Sequence, residues 1–231
     1  MPNPSCFGSL QVCAMRVALL DETGAPLPGA NNGYVSDAVV TIDVGVELSE
    51  GDDFELKNGC GNICQTFKDC DRIKRLNLSL ELCQLDYELV QMLVGGTLFT
   101  DSGSGILGTP LGWEFPASTD PCEDGVSFEF WTKAWDGAEQ AAPGAPLSGI
   151  AYHHWVATRA KFQLADNTVE NDILTFALEG FGEENDALPA DGPFGDWPAW
   201  VSINGGFTTT GGIFLDDSIP TAACGSIEVP A

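Results

Sequence analysis

Between residues 37 and 48 the chain reads DAVVTIDVGVEL, and its positions alternate strictly. Ala38, Val40, Ile42, Val44, Val46 and Leu48 fall on one side; Asp37, Val39, Thr41, Asp43, Gly45 and Glu47 fall on the other. Successive side chains of a strand point to opposite faces, so the pattern predicts a half-buried strand with an acidic outer face. It returns at 53–57, with Phe54 and Leu56 inside and Asp53, Glu55 and Lys57 outside. It returns again at 75–82, where Leu76, Leu78, Leu80 and Leu82 alternate with Asn77, Ser79 and Glu81. Three neighbouring strands therefore predict one apolar sheet face and one polar face carrying mostly carboxylates.

The period changes at 85–94. Leu85, Leu89, Met92 and Leu93 recur at helical spacing, Asp86 is placed to cap the N-terminus, and Gly95-Gly96 to stop the helix. Upstream, 11–20 reads as extended and DETGAPLPGANNG as turn and loop, while NGCGNICQTFKDC reads as a longer loop between strands. Downstream, 125–135 reads as a strand with Val126, Phe128 and Phe130 on one side. Residues 151–164 and 169–179 read as a hairpin, and 200–207 and 213–215 as the last strands. The sum is a mainly β chain of roughly eight to ten strands with one short helix, a β-sandwich or partial barrel. It is expected to form a single domain over 1–231, with long loops at about 97–124, 136–149 and 182–199.

Charge changes this picture most. The chain carries 34 acidic against 9 basic residues, a net charge of −25. Such a field opposes adhesion to DNA, RNA and anionic membrane, whose contacts rest on Lys and Arg. Lys68, Arg72, Lys74 and Arg75 form the one basic cluster. A hydrophobic content of 44%, with 13 Phe and 6 Trp, argues for a packed core and against disorder. No basic stretch followed by an apolar run opens the sequence, and no apolar run approaches the roughly 20 residues of a spanning helix. The expectation is a soluble chain made in the cytoplasm.

Several residue sets bear on chemistry. Cys60, Cys64, Cys70 and Cys83 are compatible with zinc, with free thiols or with disulfides, but lack the paired Cys-x2-Cys knuckles of a zinc site. Cys6, Cys13, Cys122 and Cys224 are scattered. His153 and His154, the only histidines, point to opposite faces if 151–164 is a strand, and no G-x-S-x-G elbow accompanies them. Acidic runs at Asp52-Asp53, Glu183-Glu184-Asn185-Asp186 and Asp216-Asp217 lack the calcium-loop pattern and read as solvated. With so many acids a carboxylate pair at glycosidase spacing is no evidence for hydrolysis. The six Trp (Trp113, Trp131, Trp135, Trp155, Trp197, Trp200) suit a carbohydrate-stacking surface, a core or an interface equally.

The order of these features is an opening strand, a long hairpin of acidic-outside strands, a basic patch and a Leu-rich strand, then the helix LDYELVQMLVGG and a Gly-rich connector. It resembles the major tail tube proteins of long, non-contractile-tailed (siphovirus-like) bacteriophages, best over 34–96. The resemblance implies a β-sandwich with one flanking α-helix and a long β-hairpin that joins an intersubunit barrel. It implies a structural virion protein, made and assembled in the host cytoplasm, with no catalysis, metal or cofactor. Its hexameric rings would stack into a tail tube whose acidic lumen conducts double-stranded DNA, without specific binding, during ejection. The implied partners are the chain itself and tail-end and tape-measure proteins, with no membrane. Carried onto this chain, Asp37, Thr41, Asp43, Glu47, Asp53, Glu55, Asn77, Ser79 and Glu81 line the lumen, with Gly45 widening it. Lys68, Arg72, Lys74 and Arg75 contact adjacent subunits; Lys57 and Arg75 depart from an acidic lining and pair with the next ring or sit at the rim. The competing readings are an acidic β-sandwich that binds carbohydrate or decorates a capsid, and a carboxylate-based hydrolase.

Overall fold

In a computed structural model, residues 8–101, 103–104, 109–116, 125–135, 152–167, 175–199, 201, 207, 209–216, 218–220 and 224–231 are described. Their alternation builds fourteen strands: β1 (Gly8–Leu19), β2 (Gly29–Ser36), β3 (Val39–Ser49), β4 (Asp53–Lys57), β5 (Ile63–Lys68), β6 (Arg72–Leu82), β7 (Thr97–Thr100), β8 (Gly103–Ser104), β9 (Pro110–Glu114), β10 (Val126–Trp135), β11 (Tyr152–Leu164), β12 (Phe176–Glu183), β13 (Gly211–Asp216) and β14 (Gly225–Val229). A helix, α1 (Tyr87–Val94), follows β6. Nine strands form one sheet in the order β14-β2-β1-β10-β11-β12-β6-β3, with β13 beside β11. Every pairing is antiparallel. The sheet does not close into a barrel: β14 and β3 are its edges. The expected mainly β architecture with one helix is what forms.

The long strand β11 joins the two halves of the sheet. One edge pairs with β10 along most of its length, whereas the other is shared between β13 (residues 152–157) and β12 (residues 159–164). The β12-β6-β3 wing and α1 enclose one core with β1, β2 and β10. Met15, Val17, Tyr34, Leu78, Leu80, Leu82, Leu89, Leu93, Val126, Phe128, Phe130, Phe162 and Leu178 meet there. The Asp86 carboxylate caps α1 by accepting from the amides of Glu88 and Leu89, and also accepts from the Tyr34 hydroxyl. Gly95, at φ 82, ends the helix where a side chain would be strained.

The opposite face of β10 and β11 is also buried. Residues 184–199 wrap across it, and Leu20, Val156, Leu188, Trp197, Val201 and Phe214 form a second core. This stretch, expected as a long loop, is tied down by Asn185, whose amide donates to the carbonyls of Gly24 and Thr158.

Other expectations are corrected. The Gly- and Cys-bearing loop between strands contains β5, which pairs with β4 as a two-stranded ribbon. The connector 97–124 contains β7, β8 and β9, a small three-stranded sheet. β2 begins inside the turn-forming GANNG, with Asn31 in the left-handed region at φ 66. Of the strand expected over 200–207, residues 200 and 202–206 lie outside the described residues; residue 201 is helical, as is 199, because Pro198 sets a turn in which its carbonyl accepts from the Val201 amide. The loop expected at 136–149 lies outside the described residues, as do residues 168–174 of the expected hairpin.

Candidate functional site

Pairing registers carry one polar surface across four strands. Asp43 lies opposite Ser79, Ser79 opposite Glu179, and Glu179 opposite Gln163. The next row joins Gly45, Asn77, Phe181 and Lys161. Thr41 pairs with Glu81 on one side of these rows and Glu47 with Arg75 on the other. Of the nine residues expected to line a channel, Thr41, Asp43, Glu47, Asn77, Ser79 and Glu81 thus share this face.

Asp37, Asp53 and Glu55 do not join it. Val39 pairs with Leu82 and Thr41 with Glu81, so Val40 is an extra residue and the side-chain phase slips by one. Val39, expected outside, packs against the core, whereas Val40, expected inside, is exposed. Asp37, upstream of the slip, accepts instead from the Cys224 thiol at 3.0 Å. Asp53 and Glu55 lie on the separate β4–β5 ribbon.

The face is acidic but not purely so. Glu47 accepts from Lys74 Nζ at 2.7 Å and Arg75 Nε at 2.6 Å, and these two cations hold its carboxyl below the usual range. Lys161 pairs with Glu183 at 3.1 Å, and the Arg75 guanidinium lies 5.2 Å from the Phe181 ring centroid. Sequence reasoning missed Lys161, Gln163, Glu179 and Phe181. Their signal was present as period-two alternation in RAKFQLA and FALEGFGE.

The other face of the same ribbon is apolar; Leu78, Leu80 and Leu82 are buried in the core, but its far end is open. Val46 is 55%, Leu48 53% and Ile73 55% exposed. Beyond Ser49 the two chains run on into β4–β5: the Asp69 amide donates to the Asp52 carbonyl at 3.0 Å, and Asp53 pairs with Lys68. Gly51 permits the crossing, since a Cβ there would meet the Asp69 carbonyl oxygen at 2.2 Å. On this extension Phe54, Leu56, Ile63 and Phe67 are exposed. Lys68, Arg72, Lys74 and Arg75 line the same stretch, Arg72 opposite Ser49 and the last two bound to Glu47.

A second polar cluster lies buried under residues 184–199. Glu129 is fully buried; its Oε2 accepts from Arg16 Nε and its Oε1 from Trp197 Nε1, both at 2.6 Å. Arg16 also grips Asp196 through both terminal nitrogens, at 2.5 and 2.9 Å, and lies against the rings of Trp131 and Phe194. His154 Nδ1 is 3.2 Å from Asp216 Oδ2, and its Nε2 is 3.6 Å from Glu129 Oε1. Burial opposes the charge on Glu129, yet Arg16 and then His154 outweigh it and bring its pKa down to about 2. Burial likewise opposes a charged His154, but Asp216 and then Glu129 raise its pKa above the ordinary value. Glu129 therefore stabilises the fold above about pH 4.5, and this is lost as the pH falls toward 2. His154 contributes fully below about pH 6.5, and its contribution fades as the pH rises through the higher folded value. Thermal melts from pH 2 to 9 are expected to be highest between these limits, with His154→Gln removing the alkaline decline.

Trp131 and Trp197 are buried, Trp155 stacks on Phe130, and Trp113 packs on Phe115 and donates to the Gly95 carbonyl. Trp131, Trp155 and Trp197 are committed to packing, whereas Trp113 is half-buried beside Phe115, which is 67% exposed. Among the described residues no group of three or more His, Cys, Asp or Glu is arranged to hold a metal ion. Six described cysteines (Cys13, Cys60, Cys64, Cys70, Cys83 and Cys224) are free thiols.

No family model matches the chain, and no curated protein sequence matches it. Among solved structures it is similar to the sheath/tube terminator of an extracellular contractile injection system, PVC, in the extended state. That likeness has 14% identity over 73% of this chain and 89% of the other, with a TM-score of 0.31. It is also similar to the sheath-tube complex of the same system, with 13% identity, 75% and 87% coverage and a TM-score of 0.26. Likenesses at this level carry no argument about function.

Proposed function

We propose that this chain is a non-catalytic structural subunit that assembles with copies of itself into a tube. The polar face of β3, β6, β12 and β11 faces the lumen, and the tube conducts DNA without holding it. The observation that carries this reading is the two-faced β3–β6 ribbon. One face is a continuous polar surface, the other exposes a row of large apolar side chains, and β3 is an edge of the sheet. Eleven residues of edge strand with exposed Val and Leu is a surface that soluble proteins avoid unless another strand or face covers it. Edge-to-edge joining of identical copies covers both, and a ring of such joints leaves no edge over. Six of the expected lining residues, Thr41, Asp43, Glu47, Asn77, Ser79 and Glu81, then line the passage with Lys161, Gln163, Glu179 and Phe181. The hexameric ring and the tail-end and tape-measure partners follow from the family resemblance and belong to the same proposal.

Negative-stain microscopy of the purified chain tests it: open tubes or stacked rings are expected, and a monodisperse monomer at high concentration sinks it. Function is tested separately at the lining. Asp43 and Glu179 are exposed, so the double substitution Asp43→Lys and Glu179→Lys is expected to change stability by no more than about 0.5 kcal/mol. Tubes still form, but they retain double-stranded DNA in a co-sedimentation assay, with retention falling steeply as salt rises.

A further inference from the structure

Cysteine is among the most buried residue types, yet five of the six described thiols here are exposed. They fall at two ends of one axis. Cys60 sits in the turn joining β4 and β5, Cys64 in β5 and Cys70 just before β6, all on the ribbon extension. Cys83 and Cys224 lie at the opposite end: the Cys83 amide donates to the Ala38 carbonyl, and the Cys224 thiol to Asp37. Between the two ends runs β3, eleven residues long, or roughly 37 Å at about 3.4 Å per residue. A disulfide needs α-carbons within about 7 Å, so thiols of opposite ends cannot pair within one chain. Cys64 and Cys70, six extended residues or about 20 Å apart, cannot pair with each other either.

Charge follows the same axis. Residues 57–75 hold five of the nine basic residues of the whole chain (Lys57, Lys68, Arg72, Lys74 and Arg75) against two acids, Asp69 and Asp71. At the other end Asp37 is exposed and Glu81, Asp86 and Glu88 are half-buried, Asp86 holding the Tyr34 hydroxyl and Glu88 the Ser226 hydroxyl, and no Lys or Arg occurs from 76 to 131. A basic end with exposed Phe54, Leu56 and Phe67 on a strongly acidic protein fits the acidic end of a second copy.

We propose that copies join head to tail along this axis, the ribbon extension of one on the Asp37–Cys224 end of the next, and that oxidation links the apposed thiols covalently. The inference rests on the self-assembly reading and adds to it a direction and a redox lock. The oxidant is a low-molecular-weight disulfide. A thiolate of Cys60, Cys64 or Cys70 attacks one of its sulfurs, forming a mixed disulfide and releasing one small thiolate. The thiolate of Cys83 or Cys224 on the next copy then attacks the protein-side sulfur, closing the intersubunit S–S bond and releasing the second. The two protons given up by the protein thiols pass to the two small thiolates, so two thiols are oxidised and one disulfide is reduced.

The test uses full-length protein carrying C6S, C13S and C122S, treated with oxidised glutathione after assembly. Non-reducing gels are expected to show a ladder that collapses with reductant, and peptide mapping should join Cys60, Cys64 or Cys70 to Cys83 or Cys224. Adding C60S, C64S and C70S, or instead C83S and C224S, leaves each variant monomeric on the gel, whereas a mixture of the two gives dimers and no longer ladder. Tubes by microscopy with only monomer bands, or links joining ribbon to ribbon, overturn this inference and leave the assembly reading intact. Absence of any particle larger than a monomer, reduced or oxidised, overturns both.

Discussion

Replacing Glu129 by alanine is expected to cost about 3–5 kcal/mol of folding stability, the range for removing one partner of a buried ion pair. That is a large share of the roughly 5–15 kcal/mol that holds a domain together. The size follows from what the carboxylate serves at once: Arg16 Nε, Trp197 Nε1 and the charge on His154. Without it the buried Arg16 keeps Asp196, itself on the protein surface, and the rings of Trp131 and Phe194, and the indole N–H loses its acceptor. Residues 184–199 then lose one of their anchors, the Trp197 indole. Urea melts of Glu129→Ala should show a much lower midpoint, while Glu129→Gln, which keeps an acceptor, falls between. An unchanged midpoint for alanine would mean that the buried charge is not compensated by Glu129.

The second large effect concerns assembly and leaves the fold alone. Val46→Asp together with Leu48→Asp places two charges on the open apolar face of β3, where both side chains are more than half exposed. The isolated chain loses little, because neither residue belongs to either core. In a joined assembly the same carboxylates are buried without partners, at several kcal/mol each. Tubes and rings are expected to disappear from micrographs and from the sedimentation profile, with the melting midpoint nearly unchanged. A parallel fall in the midpoint would show instead that these residues support the fold.

Much of this surface was legible from alternation alone. Thr41, Asp43, Glu47, Asn77, Ser79 and Glu81 share a face because a period of two survives along β3 and β6. What failed did so for identifiable reasons. The string DAVVTIDVGVEL contains no sign that Val40 would be extruded, because a bulge depends on how the partner strand's Leu82 and Glu81 are spaced against it. β5 escaped notice because Gly and Cys surround ICQTFK, and its pairing with β4 is a matter of a tight turn in which Asn58 Oδ1 accepts from the amides of Cys60 and Asn62. Alternation puts Glu129 on the side of β10 opposite Phe128 and Phe130. Only the wrapping of residues 184–199, far along the chain, makes its side of β10 an interior. The six apolar positions of 37–48 predicted burial, and the lone chain buries Ala38 and half-buries Ile42, leaving Val40, Val44, Val46 and Leu48 exposed. Alternation reports that a face avoids water, not whether its cover comes from the same molecule.

The distance in sequence between Arg16 and Asp196 has a consequence for the making of the protein. These residues are 180 positions apart, Arg16 and Glu129 are 113 apart, and the wing strand β6 waits for β12 to pair with it. Contacts of such separation slow folding, because most of the loop entropy is spent before they form. A ribosome therefore releases the adhesive ribbon of residues 39–82 about a hundred residues before the strand that flanks it, which takes several seconds at the usual rate of about 5–20 residues per second. During that interval β3 and β6 have each other and little else. The concentration of nascent neighbours, as much as the final stability, then decides whether the ribbon meets its own β12 or the same ribbon on another chain.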